Sequence, residues 1–321
     1  MKKFIIPLIC YSLILIVLLN VDSISNFLTK TITNNNILTI EPGNEYTKDY
    51  NFLYLSNSID YIPYSYGDLT SILYSVINQG WKEFTFYCPS EYKDCIEDIS
   101  NLSKDDLILT HINNYVHPYN SFKTLKTSIT ESGEITVNIN YLYSTSEINA
   151  INNYIDKLIN DLYKKSDDDY ENLKRIHDYI INNTKYDIER NDKGESSYKS
   201  YNAYGPAIEG YATCNGYADL MAIILSKLNY ENYKIATTKE EISYESNGHI
   251  WNAVKIDNEW LHLDLTWDDP VSNDGKDYLY HKYFLVSNEE MMAADTGNVQ
   301  IEEHNFNKSI YQEFMTNKKN G

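Results

Sequence analysis

Basic side chains are scarce in this chain of 321 residues: 27 Lys and Arg stand against 46 Asp and Glu, for a formal charge of −19. A surface that negative repels polyphosphate, so nucleic acid is not expected as a ligand. Glycine (12) and proline (7) are also few, which rules out collagen-like and linker-like architectures. No internal repeat is present, which removes solenoids and propellers. Four cysteines are too few for a disulfide-dense scaffold. The Asp-rich stretch 268–277 fails the calcium-loop pattern, since Gly275 at the turn position would put Pro270 and His281 at ligand positions. Zinc on His249, His262 and Asp264 would need Cys214 as well, and no tight His/Cys pair supports it. No metal and no cofactor are expected. What remains is 42% hydrophobic and 14% aromatic, with 31 Tyr, enough for one or two ordinary cores.

One long apolar run is present. Met1-Lys-Lys precedes Phe4 to Val21, interrupted by Pro7, Tyr11, Ser12 and Asn20. It is long for a signal-peptide core and just long enough to span a bilayer, and the leading lysines favour an inside N-terminus. The expectation is a signal anchor or a cleaved signal peptide over 1–24, with membrane contact through residues 4–21. The body is then exported, either cell-surface with an extracellular C-terminal part or secreted. Residues 25–57 read as a polar stalk. Residues 58–145 alternate helix and strand patterns, including a hairpin around Glu131-Ser-Gly133, and form a small α/β region. Residues 146–300 carry the chemistry, and 301–321 read as a loosely held polar tail.

The chemistry is concentrated between Gly210 and Pro270. Cys214 stands where a small-residue loop becomes a helical pattern, with Tyr217, Ala218, Met221, Ile224, Leu225 and Leu228 at spacings of three and four. A thiol at a helix N-terminus is favoured as thiolate, the nucleophilic form. Two strand-like runs, 248–256 and 259–266, flank the turn dipeptide Asp257-Asn258 and read as a hairpin. In that register His249, Trp251, Ala253 and Lys255 share a polar face with Trp260, His262, Asp264 and Thr266. Ile250, Val254, Ile256, Leu261, Leu263 and Leu265 form the core face. His249 and Asp264 become diagonal neighbours within side-chain reach. Cys, His and Asp then supply a nucleophile, a base and a residue that orients the base.

The segments Gly210-Tyr-Ala-Thr-Cys-Asn-Gly-Tyr-Ala218, His249-Ile-Trp-Asn-Ala-Val254 and Trp260-Leu-His-Leu-Asp-Leu-Thr-Trp-Asp268 resemble the transglutaminase-like superfamily of papain-like folds. The helix Ile176-His-Asp-Tyr-Ile180 followed by Thr184-Lys-Tyr-Asp187 is similar to its microbial members. Thr213 and Asn215 stand where the cross-linking enzymes place Gln and Trp, which points to the protease-like branch. The resemblance covers roughly residues 170–270. It implies an α+β fold with the nucleophile's helix packed on an antiparallel sheet, and catalysis by Cys214, His249 and Asp264.

Trp251, on the proposed catalytic face, is a candidate wall of the acyl channel. His262, one position off register, and His177, mid-helix, read as structural. With Cys10 in the apolar run and Cys214 as nucleophile, Cys88 and Cys95 remain as a pair that can close a short disulfide loop in an exported protein. Two functions follow: an exported thiol enzyme acting on protein or peptide amides, cell-wall associated ones among them, by hydrolysis or transamidation; or a non-catalytic surface or wall-binding scaffold on the same fold.

Overall fold

The computed structural model describes residues 40–238, 248–271 and 278–316. The Ser65 hydroxyl accepts from the Asp68 N–H and starts helix α1 (Tyr66–Asn78), which buries Leu69, Ile72, Leu73, Val76 and Ile77. Strand β1 (Glu83–Tyr87) and helices α2 (Cys95–Leu102) and α3 (Asp106–Tyr115) follow. Strands β2 (Phe122–Ile129) and β3 (Glu134–Tyr141) form the expected hairpin and complete a sheet ordered β1-β3-β2. Alternation along β3 buries Ile135, Val137 and Ile139 in the core that α1 enters.

Ser144 and Glu147 close a capping box on α4 (Thr145–Leu162), and Asp168 caps α5 (Asp169–Asn183). A two-residue strand β4 (Lys185–Tyr186) and a short helix α6 (Ile188–Lys193) follow. β4 pairs in parallel with β5 (Tyr211–Ala212), which leads directly into α7 (Cys214–Lys227). A four-stranded antiparallel sheet comes next. It runs in chain order through β6 (Asn232–Ala236), β7 (Ile250–Ile256) and β8 (Glu259–Leu263), then, after the one-turn helix α8 (Leu265–Asp268), β9 (Phe284–Val286). Helices α9 (Asn288–Ala294), α10 (Asn298–Glu303) and α11 (Glu313–Thr316) complete the described chain. The mixture of helix and antiparallel sheet agrees with the expected α+β class.

The β7–β8 register places Ile256 opposite Glu259, and Asp257 and Asn258 take φ of +49° and +66°, a left-handed pair that Asp and Asn tolerate. The face expected to be polar is nevertheless buried. Trp251, Ala253 and Trp260 join Tyr233 and Ile235 in one core with α1, α3 and β3, while Val254, Leu263 and Phe284 join α4, α5 and α7 in a second. The parity of the strands was read correctly; the sheet is covered on both faces, which a two-residue period cannot report.

The boundaries of the outer segments also differ from expectation. Residues 301–316 of the expected tail are not loosely held: Phe306, Ile310, Tyr311 and Phe314 are buried in the first core. Part of the supposed stalk is anchored too, since Phe52 and Leu55 are buried and the Lys48 ammonium donates to the Asn232 carbonyl at 2.6 Å. Residues 58–145 therefore share a core with the main sheet. The apolar run at 4–21 lies outside the described residues; among those described, no helix is long and apolar enough to cross a membrane.

Candidate active site

Cys214 is the first residue of α7, and its thiol is partly exposed. Thr213 does not cap the helix with its side chain, because its hydroxyl donates to the Ser200 carbonyl at 3.2 Å. The amides of the first turn thus remain free of a side-chain cap. Gly216 lets this turn press onto the preceding loop: a Cβ there would lie 2.2 Å from the Ser200 carbonyl oxygen. The helix is held from behind by Tyr217, Leu220, Met221, Ile224 and Leu225 in the second core, each contributing roughly 1.5–3 kcal/mol on burial. Asn252 of β7 donates to the Ala218 carbonyl at 2.9 Å, and Lys234 of β6 meets Asp219 at 2.6 Å with both side chains buried. Helix and sheet are locked in one register.

His249 precedes β7 and follows Gly248, whose φ of +81° turns the chain into the strand. Its N–H donates to the Thr237 hydroxyl at 3.0 Å, and its carbonyl accepts the Thr237 N–H at 2.9 Å. Nε2 donates to Asp264 Oδ2 at 2.5 Å, and the Cys214 thiol lies close enough to the same imidazole to help raise its pKa. With Nε2 taken, Nδ1 is the nitrogen left for the thiol. Burial alone would lower the His249 pKa, but Asp264 and Cys214 hold it well above the ordinary imidazole range.

Asp264 ends the strand and begins a helix. Oδ1 accepts the N–H groups of Thr266 (2.8 Å) and Trp267 (3.2 Å), capping α8. Oδ2 accepts from His249 and also from His304 Nε2 at 3.1 Å. His304 in turn donates from Nδ1 to Asp295 at 2.7 Å. Burial would raise the Asp264 pKa, yet the two imidazoles hold the carboxyl well below its usual range. Between its two carboxylates, His304 is held above the ordinary imidazole value despite its burial. His304 was missed from sequence because it sits in the segment read as a tail. The available signal was the apolar set Phe306, Ile310, Tyr311 and Phe314, spaced to pin that segment down.

Two cavities meet at Cys214 and His249. One, of about 200 Å³, runs past Asp106, Thr110 and His111 of α3 and Thr237. The other, of about 360 Å³, is walled by Tyr186, Thr266, Trp267, Pro270 and Glu303. Glu303 accepts from the Trp267 indole N–H at 3.0 Å and lies 4.0 Å from His249 Nδ1. Burial and the nearby Cys214, Glu303 and Asp264 push the Tyr186 hydroxyl above its usual pKa, so it stays protonated.

Cys214, His249 and Asp264 are thus brought together, while Trp251 is not on the channel. Trp251 is 1% exposed, lies under the His249 ring with centroids 5.7 Å apart, and donates from Nε1 to His262 at 3.0 Å. Its expected role as a channel wall fails because the face it occupies is covered by Phe306 and its neighbours. His262 is buried, stacks on Phe314, and is lowered to about 3 by burial and by the nearby His304. His177 is buried in α5 beside Asp178 and Asp268. Cys88 and Cys95 form a disulfide with Cα atoms 5.8 Å apart.

Residues 156–265 match the family model of the transglutaminase-like superfamily. Kyphoscoliosis peptidase of Mus musculus is 20% identical over 163 residues, covering 47% of this chain and 24% of that protein. The Homo sapiens protein of the same name is 22% identical over 155 residues, 44% of this chain and 22% of that one. The chain therefore spans about a quarter of the length of these curated relatives. A crystal structure of a TGase is similar at 16% identity and a TM-score of 0.32, over 46% of this chain and 45% of that one.

Proposed function

We propose that this chain, whose residues 156–265 match the family model of the transglutaminase-like superfamily, is a thiol-dependent acyl-transfer enzyme acting on protein or peptide amides through Cys214, His249 and Asp264. The observation that carries the reading is the shared imidazole: His249 is bound to Asp264 through Nε2 and lines the same two cavities as Cys214 at the N-terminus of α7. The two cavities that meet there offer space on both sides of a scissile bond.

In this reading Cys214 Sγ, having given its proton to His249, attacks the amide carbonyl carbon. The oxygen gathers negative charge near the N–H groups of the first turn of α7, which are suited to receive it. His249 passes its proton to the departing nitrogen, the C–N bond breaks, and a thioester is left on Cys214. Water gives an acid, and an amine gives a new amide; in either case His249 removes the incoming proton and the thiolate leaves. Asp264 keeps the proton on Nε2 and stabilises the imidazolium without taking the proton itself. The Cys88–Cys95 disulfide suits an oxidising compartment and supports the expectation that this part of the chain works outside the cytoplasm; protease treatment of intact cells should then remove it.

The chemistry is tested by incubating the chain with amide-bearing peptides and hydroxylamine. Hydroxylamine intercepts a thioester as a hydroxamate, whose formation should disappear in Cys214→Ala. Hydroxamate formation undiminished by that substitution, or none with the unaltered chain across a peptide library, would remove the enzymatic reading and leave a binding scaffold.

A further inference from the structure

Beside Asp268, the last residue of α8, a second group of polar residues converges. His177 and Asp178 are consecutive on α5, and His281 lies in the segment leading to β9. His177 Nδ1 is 3.0 Å from Asp178 Oδ1, and His281 Nε2 is 2.6 Å from the same oxygen. One ligand atom from each of the three lies within 4.8 Å of the others. Lys174 takes the other carboxylate oxygen at 2.6 Å, which leaves Oδ1 as the oxygen facing both rings. We propose that His177, Asp178 and His281 are a zinc site, with a fourth position open to solvent.

The donor set fits the metal. Two neutral imidazoles and a carboxylate, with a place for water, are a common zinc environment. Zinc holds such ligands at about 2.0–2.2 Å, so tetrahedral neighbours sit about 3.3 Å apart. The present separations of 3.0 and 2.6 Å need to open by only several tenths of an ångström. Asp178 and His281 have that freedom, since their side chains are 25% and 31% exposed. Their exposure also gives the ion a way in. His177 supplies the rigid part: it is fully buried, and its Nε2 lies 3.3 Å from the buried Asp268 carboxylate. Neither of these two atoms makes a directed hydrogen bond. A carboxylate behind an imidazole is the usual device for keeping the proton on the outer nitrogen, so that the inner one can bind metal. No sequence pattern signals this group, because His281 lies about a hundred residues beyond His177 and Asp178 and no Cys/His pair stands at metal spacing.

The site also has a mechanical connection. The Asp268 carboxylate accepts the Tyr283 N–H at 3.1 Å and its carbonyl accepts the Tyr280 N–H at 2.8 Å, so it anchors the segment that carries His281. Its own N–H returns to the Asp264 carbonyl at 3.3 Å. An ion on His177 would therefore brace the turn that Asp264 caps.

The test uses the untagged full chain carrying Cys214→Ala, so that the thiol cannot hold the metal. Equilibrium dialysis against micromolar Zn²⁺, followed by elemental analysis, should retain one equivalent. Zn²⁺ at a hundredfold excess over its dissociation constant should raise the melting midpoint by on the order of 5 °C. His281→Ala and Asp178→Asn, both at partly exposed positions, should each lose at least tenfold in Zn²⁺ affinity and abolish the midpoint shift while circular dichroism shows them folded. Failure of the chain to retain Zn²⁺, or retention that survives His281→Ala and is lost instead in His249→Gln, would overturn the proposal.

Discussion

Replacing Asp264 by Asn separates two jobs that one carboxylate performs. Oδ1 caps α8 through Thr266 and Trp267, and an amide oxygen can do the same. Oδ2 accepts from His249 and His304, and there an amide presents NH₂, a donor. To accept from it, His249 must move its own proton to Nδ1, the nitrogen that should receive the thiol proton. Loss of a buried charge-assisted hydrogen bond contributes roughly 1.5–3 kcal/mol, or a factor of about 10–150 at 1.36 kcal/mol per decade. The reversed tautomer adds to this, and a total loss of about 10²–10⁴ in kcat is expected. Stability should fall less in Asp264→Asn than in Asp264→Ala, because only the alanine also loses the cap, at about 1 kcal/mol. The assays are peptide-mapped iodoacetamide labelling of Cys214, which keeps Cys10 out of the readout, hydroxamate formation, and urea midpoints for both variants. Labelling and turnover of Asp264→Asn within twofold of the unaltered chain would refute the argument, whatever happened to its stability.

Three further outcomes are expected. Lys234→Met should cost about 3–5 kcal/mol by leaving Asp219 as a buried carboxylate without its cation; a urea midpoint within 0.5 kcal/mol of the unaltered chain, the usual size of a surface change, would contradict this. Burial lowers His111 to about 4, and burial with His304 lowers His262 to about 3. Both lie under the unfolded value of about 6.5, so the unfolded chain takes up these protons first and stability should decline as pH falls from about 6.5 toward 4. His249 and His304 have raised folded values, so their contribution is already complete below 6.5 and does not offset the decline. Urea midpoints that stay level between pH 6.5 and 4.5 would oppose it. Reduction of Cys88–Cys95 should destabilise the chain by roughly 2–3 kcal/mol, the loop-closure value for a cross-link of this span, read as a lower melting midpoint after reduction and alkylation.

Local signals carried the reading of this chain a long way. The stripe from Cys214 to Leu225 and the Asp257-Asn258 turn are short-range patterns, and each formed where its period and turn chemistry required. Pairing follows from parity, so the approach of His249 to Asp264 was available from counting alone. What could not be counted was coverage. Trp251 and His262 alternate with the core residues and look outward until apolar residues between Phe52 and Ile139 and the segment around Phe306 pack over them. Asp264 was read as a strand residue because Leu261, Leu263 and Leu265 keep alternating through it. The break into α8 comes from its own side chain capping two amides, a local competition that alternation does not register. His304 and the group around Asp178 depend on contacts between segments 40 and about 100 residues apart, where no periodicity reaches.

The position of His304 bears on how the molecule is made. A ribosome releases the chain from its N-terminus, so the parts of the pocket emerge in sequence: the thiol first, its base and carboxylate 35 and 50 residues later, and the imidazole that steadies the carboxylate 90 residues after the thiol. Until then the sheet behind His249 also lacks the aromatic cover of Phe306, Tyr311 and Phe314. A nascent chain thus presents the Cys214 thiol long before the imidazoles that face Asp264 are in place, and on the proposed reading the thiol is armed only with final folding. Synthesis order itself would then delay that chemistry until the molecule is whole.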